Sequence, residues 1–227
     1  MTDIPDIQIL FPDCVATACM DTNAAEYALY QEEQHLVEHA VTKRRKEFAA
    51  GRTCARRALE LLGIRGCPLP ANGDGSVAWP QETVGAISHS HSWCGAAVAR
   101  TRDARGLGLD IETIRRVNPR LEKKILTPGE RDRLQRYNEQ ERQTLLCLFF
   151  SAKESVYKCL YPLLKVRMGF LDAVIVPQPQ RQTFAVLPGE KASAHCAVFS
   201  LLAGQFFLHK EDVFTSVVLP SGETHRV

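Results

Sequence analysis

Apolar residues recur at helical spacing in three stretches of the chain. Residues 24–41 mix apolar positions with Glu, Gln and His at a period that predicts an amphipathic helix. Phe48, Cys54, Ala55, Ala58, Leu59 and Leu62 then repeat on one face, and Gly63 stands where a helix C-cap belongs. A longer pattern over 141–165 puts Leu145, Leu148, Phe149, Ala152, Val156 and Leu160 on one side. Thr127, Pro128, Gly129 and Glu130 match a capping box with proline at the first helical position, and predict a helix over 131–140.

Between and after these stretches the period shortens to two. Residues 84–99 read as two short strands around a polar turn, and 106–112 as a strand with alternating faces. Residues 184–187, 196–202, 206–212 and 214–219 read as further strands separated by glycine and polar turns, while 63–83, rich in Gly, Pro and Asn, reads as a loop. Helices and strands in runs predict an α+β fold rather than an alternating α/β one. The polar stretch 101–106 is the natural seam, dividing the chain into halves at 1–104 and 105–227.

Composition narrows the class. The chain has 227 residues, 45% apolar and 24% charged, with a formal net charge of +2. Disorder and a nucleic-acid coat both call for a different balance. No run of ~18 apolar residues suggests a membrane span, and Met1 to Phe11 lacks the basic region of a signal peptide. The eight cysteines show no C-x-x-C spacing and read as reduced thiols of a cytoplasmic protein.

The small net charge hides a segregation. Residues 1–42 hold eight acids and no Lys or Arg, whereas 43–57 hold seven basic residues and one acid. Such a block is either a solvated helix face or an anion site, and arginine forks such as Arg45, Arg52 and Arg56 suit phosphate geometry.

Four constellations can carry chemistry. His35, Glu38 and His39 spell H-x-x-E-H, a metalloprotease motif, but no further ligand region accompanies it and an ordinary amphipathic helix explains it better. Asp110 and Glu112 flank Ile111 in GLGLDIE, so strand alternation turns both carboxylates to one face. Hard oxygen donors of this kind suit Mg²⁺, although two solvated charges on an edge strand would look the same. Glu154 and Lys158 lie four apart on a helix face, as a surface ion pair or as a third metal carboxylate beside a phosphate-reaching lysine. Ser88, His89, Ser90 and His91 form a polar turn, either an anion site or a plain hairpin tip. No P-loop and no G-x-S-x-G elbow is present.

Taken in order, RRKEFAAGRTCARRAL, the Trp79–Pro80 dipeptide, ISHS, GLGLDIE and FSAKESVYK resemble the 4′-phosphopantetheinyl transferases of the surfactin-synthetase and enterobactin-synthase type, over residues 44–160. The resemblance implies two similar α+β subdomains related by a pseudo-twofold, with the active site in the cleft between them. It implies Mg²⁺-dependent transfer (Mn²⁺ being an alternative ion) of the phosphopantetheine arm from coenzyme A to a serine of an apo acyl or peptidyl carrier protein, with release of adenosine 3′,5′-bisphosphate. By resemblance Asp110, Glu112 and Glu154 hold the metal, and Glu154 or a metal-held water takes the serine proton. Lys158 and His89 then meet the phosphates beside Ser88, and Arg45 and Arg52 hold the 3′-phosphate. The basic helix and ISHS turn fall in the first half, and the metal strand and KES helix in the second. The implied state is a monomer, with no nucleic-acid or membrane partner. Lys123, Lys124 and the arginines of 131–136 are candidates for carrier docking, or a solvated helix face. The stretch 72–76 lacks the cation that the enterobactin-like branch carries before its Trp-Pro. A coenzyme A-binding module without turnover is the rival reading, and the full set of carboxylates with Lys158 speaks against it.

Overall fold

The structure is a computed structural model and describes residues 3–23, 27–190, 192 and 196–222. A 3-10 turn, Ile7–Leu10, is capped by the Asp6 side chain, which accepts from the Gln8 N–H. Strand β1, Val15–Asp21, follows. Its run of small residues alternates too weakly to announce a strand, so the sequence reading lacks it.

The helix expected over 24–41 is broken. Residues 24–26 lie outside the described residues; from 31 onward there is only α1, Gln31–Gln34, and a 3-10 turn, His35–Val37. The cause is Glu33, which is fully buried. Both its oxygens accept from Arg56 Nη1 at 2.8 Å, and it also accepts the Leu69 and Tyr30 N–H groups. A buried carboxylate must be satisfied, and these partners pull the segment into a tight turn against the next helix. That helix, α2, runs Thr42–Leu61. Gly63 takes a left-handed φ of 79° just beyond it, as a C-terminal glycine should.

Strands β2, Thr83–His89, and β3, Trp93–Arg100, form the predicted hairpin, and β4, Ala104–Thr113, follows. Short helix α3, Glu122–Ile125, precedes α4, Pro128–Leu134, which has the predicted Thr127–Glu130 capping box. The helix expected over 131–140 stops at Leu134, because Asn138 starts a new capping box with Glu141 and opens α5, Glu139–Leu164. Strands β5, Ala173–Gln178, and β6, Thr183–Pro188, come next. The strand expected at 196–202 is instead helix α6, Cys196–Phe199, and a turn, with Phe199 as its core anchor. The stretch 206–212 divides between β7, Ala203–His209, and β8, Asp212–Pro220, across a turn where Lys210 has φ 56°.

The fold is α+β. One antiparallel sheet has the order β1-β3-β2, the other β4-β8-β7-β6-β5. Each half sets one long helix, α2 or α5, against its own sheet. The sheets share a core, in which Ile7, Leu10, Val15 and Trp93 meet Leu107, Leu109, Ile111 and Phe214. Among the described residues no helix is long and apolar enough to cross a membrane.

Candidate active site

Two glycines decide where α5 lies. A Cβ on Gly108 would stand 1.9 Å from the Ser155 carbonyl oxygen, and one on Gly106 would stand 2.6 Å from that of Cys159. The bare backbone of β4 therefore lets the helix rest directly on the strand. Ser155 Oγ locks this contact by hydrogen bonding to the Thr215 carbonyl on β8. Leu107, Leu109 and Ile111 point the other way, into the shared core, so alternation leaves Asp110 and Glu112 facing the helix.

The sheets meet at edge strands β2 and β4, and there the polar groups converge. Lys158 Nζ donates to Asp110 Oδ1 at 2.7 Å, to Ser88 Oγ at 3.0 Å and to the Leu109 carbonyl at 3.1 Å. Ser88 Oγ donates to Asp110 Oδ1 and accepts the Ile111 N–H. Asp110 is 3% exposed, and its Oδ2 has no hydrogen-bond partner. Burial, then the charges of Asp110 and Glu154, push the Glu112 carboxyl up to about 8. Burial and Asp110 also push Glu154 upward, against the pull of Lys158. Three carboxyl groups thus crowd one lysine. Among the described residues, no three His, Cys, Asp or Glu side chains form a ready-made metal cage. The H-x-x-E-H motif joins no such cluster.

His89 closes β2 beside this cluster. Arg44 Nη1 donates to its Nε2 at 3.1 Å, so that nitrogen carries no proton. Desolvation first, then Arg44 and Lys158, pull its pKa down against the opposing pull of Glu47, 3.8 Å away. Arg45 and Arg52 are placed differently. Arg45 Nε donates to the Ala40 carbonyl and its Nη2 to that of Glu38, closing the turn before α2. Arg52 is 6% exposed, donates to the Leu69 carbonyl at 2.7 Å and lies over the Phe48 ring.

The sequence reading passed over Arg44. Its one signal was three- and four-residue spacing to Glu47 and Phe48 on the same helix. The reading also passed over Lys153, buried beside Glu154 and paired with Glu130 at 2.7 Å. Ser90 is an element of the turn, its Oγ accepting the Ser92 and Trp93 N–H groups.

A cavity of about 1010 Å³ opens beside the cluster, between β2 and the 72–79 loop on one side and α5 and residues 167–170 on the other. The Trp79 ring forms part of its wall and packs on Gly85, where a Cβ would fall 2.6 Å from the ring.

Comparison with known proteins is consistent along the chain. Residues 32–99 match the 4′-phosphopantetheinyl transferase N-terminal domain, and residues 106–213 match the 4′-phosphopantetheinyl transferase superfamily. The chain is 36% identical to 4′-phosphopantetheinyl transferase Svp of Streptomyces mobaraensis, over 81% of this chain and 77% of the relative. It is 36% identical to 4′-phosphopantetheinyl transferase PptT of Mycobacterium tuberculosis over 63% of each chain. It is 34% identical to enterobactin synthase component D of Escherichia coli K12 over 70% of this chain and 74% of the relative. A solved holo-(acyl-carrier-protein) synthase from Bacillus anthracis, in complex with CoA, is 22% identical with a TM-score of 0.42, covering 53% of this chain and 99% of that one. The chain belongs to the 4′-phosphopantetheinyl transferase superfamily, and so to a family of transferases.

Proposed function

We propose that this enzyme transfers the 4′-phosphopantetheine arm of coenzyme A to a serine of an apo acyl or peptidyl carrier protein. The observation that carries the reading is Lys158, Asp110, Glu112 and Glu154 gathered beside a cavity whose wall includes Glu154 and Lys158, with Ser88, His89 and Arg44 adjoining. In this reading the serine oxygen bonds to the β-phosphorus of the pyrophosphate, and the bond from that phosphorus to the bridging oxygen breaks. Adenosine 3′,5′-bisphosphate leaves with the electron pair.

The residues fit Mg²⁺, which takes one or two carboxylates and completes its shell with water and phosphate oxygens. Support comes from the buried, partnerless Asp110 Oδ2 and from Glu112 and Glu154, whose charges repel one another without a cation. Asp110, Glu112 and Glu154 would hold the ion, which would supply positive charge to the pyrophosphate oxygens. Glu154 accepts the serine proton; a carboxyl pushed upward is a stronger base once ionised. Lys158 exchanges Asp110 for a pyrophosphate oxygen, and Ser88, His89 and Arg44 orient the adjoining oxygens. Arg45 and Arg52 remain proposed for the 3′-phosphate end.

Halves 1–104 and 105–227 of one chain supply opposite sides of this site, which supports action as a monomer. The free thiols of Cys14, Cys19, Cys54, Cys67, Cys94, Cys147 and Cys159 support a reducing compartment, the cytoplasm. Incubation with coenzyme A, Mg²⁺ and an apo carrier, followed by mass spectrometry, is expected to show one phosphopantetheine added to one serine. No gain across fatty-acid, polyketide and peptide carriers would overturn the proposal. Chelation of divalent ions is expected to stop transfer, and Mg²⁺ to restore it.

A further inference from the structure

A polar island interrupts the core under α5. On β8, Val213 and Val217 are fully buried in the apolar core that packs on the helix, and Thr215 between them is fully buried too. On α5, Ser151 and Ser155 are fully buried among Leu148, Ala152, Val156 and Cys159. The three hydroxyls meet. Ser151 Oγ lies 2.9 Å from Thr215 Oγ1 and Ser155 Oγ lies 2.7 Å from it, while Ser155 Oγ also donates to the Thr215 carbonyl at 3.1 Å. With Ser151 donating to Thr215 and Thr215 to Ser155, every hydroxyl proton has an acceptor.

Apolar side chains would fill this space with no such demand. Buried hydroxyls must be satisfied, and a hydrogen bond fixes direction as an apolar contact does not. A slip of α5 by one residue turns the helix about 100° and carries both serines away from Thr215. Two observations tie the island to the carboxylates. Glu154 lies between the two serines in sequence and Lys158 three residues beyond the second, so the bonds that aim the serines aim both groups. Thr215 is also the direct cross-strand partner of Asp110. Side chains paired in this way have Cβ atoms about 5 Å apart, near enough for a threonine hydroxyl to turn to a carboxylate. The serines hold that hydroxyl instead, and Asp110 Oδ2 is left buried with no partner.

We propose that Thr215 is a positioning residue for the metal site. Through Ser151 and Ser155 it sets Glu154 against Asp110 and Glu112, and it leaves Asp110 Oδ2 open to the ion. This rests on the reading above that the three carboxylates hold Mg²⁺.

The test measures Mn²⁺ binding to the full chain without coenzyme A, by electron paramagnetic resonance of the free ion, in the unaltered enzyme, Thr215→Val and Thr215→Ser. Valine keeps the branched shape and removes the hydroxyl, and the bond from Ser155 to the backbone carbonyl at 215 remains to hold the helix. Thr215→Val is expected to raise the Mn²⁺ dissociation constant about tenfold, as loss of a supporting partner of metal ligands does. The Mg²⁺ concentration for half-maximal transfer should rise by the same factor, with kcat recovering at saturating Mg²⁺. Thr215→Ser keeps the hydroxyl and should bind Mn²⁺ as the unaltered enzyme does, although it loses a buried methyl group. Unchanged binding in Thr215→Val, or a serine variant as weak as the valine one, would overturn the proposal. Should circular dichroism show Thr215→Val unfolded, Ser151→Ala gives the same readout: weaker Mn²⁺ binding is expected, and unchanged binding would overturn the proposal. No Mn²⁺ binding by the unaltered enzyme would instead overturn the metal site beneath it.

Discussion

At the scale of residues, Asp110 has one oxygen tied to Lys158 and Ser88 and one with no partner. Asp110→Ala is expected to reduce transfer by about 10³-fold or more while circular dichroism shows a folded protein, because a charge that orients a phosphoryl group has no local substitute. Activity near that of the unaltered enzyme would place the metal elsewhere. Glu112 yields a pH prediction. Its folded pKa, about 8, lies above the ordinary 4.5, so between these values the folded state binds the extra proton. Stability from this group is present at low pH and falls as pH rises from 4.5 to about 8. Added Mg²⁺ should restore melting temperature most at the alkaline end, and a flat response would count against Glu112 as a ligand. The carboxylates and Lys158 were legible because their spacing is local. Arg44 was not, since the choice between Arg44 and Arg45 depends on what each meets across space: His89 for one, the 38–40 carbonyls for the other.

At the scale of elements, α5 is the part that builds the site, and two contacts set its position. Gly108→Ala would force a methyl group into the Ser155 carbonyl and push the helix off β4. A loss of about 1–3 kcal/mol in chemical unfolding is expected, together with a larger loss of transfer as Glu154 and Lys158 shift. The second contact is Glu130, which joins three elements. Its Oε2 accepts from Thr127 N–H and Lys153 Nζ, and its Oε1 accepts from Ile175 N–H on β5. Glu130→Ala leaves Lys153 buried with only the Ile125 carbonyl, so destabilisation by about 3–5 kcal/mol is expected by the same measurement. The capping box of α4 was legible, as four adjacent residues encode it. The break in the 24–41 helix was not, since Glu33 looks like any surface acid until Arg56 and Leu69 surround it.

At the scale of the whole molecule, the two halves are not separable cores. Leu109, Ile111 and Phe214 bury themselves against Ile7, Leu10 and Trp93, and Ser216 Oγ donates to the Leu10 carbonyl. Expressed alone, 1–104 and 105–227 would each expose one side of this core. Each is expected to lack a cooperative thermal transition and to bind an apolar dye, while the intact chain melts as one unit. Two fragments that melt independently would refute a shared core.

The sequence by itself determined what short-range physics encodes. Periodicity marked α2 and α5, turn chemistry marked the β2–β3 hairpin, and side-chain type marked the carboxylates, lysine and histidine as groups for phosphate chemistry. Only the tertiary structure decided the rest. It paired β1 with β3 and β5 with β6, set edge strands β2 and β4 together, chose Arg44 to face His89, and joined Asp74 to Lys165. The physical reason is that helices, caps and alternating strands follow from neighbours along the chain. Which edges meet, and which charges find partners, follows from how two sheets bury one core.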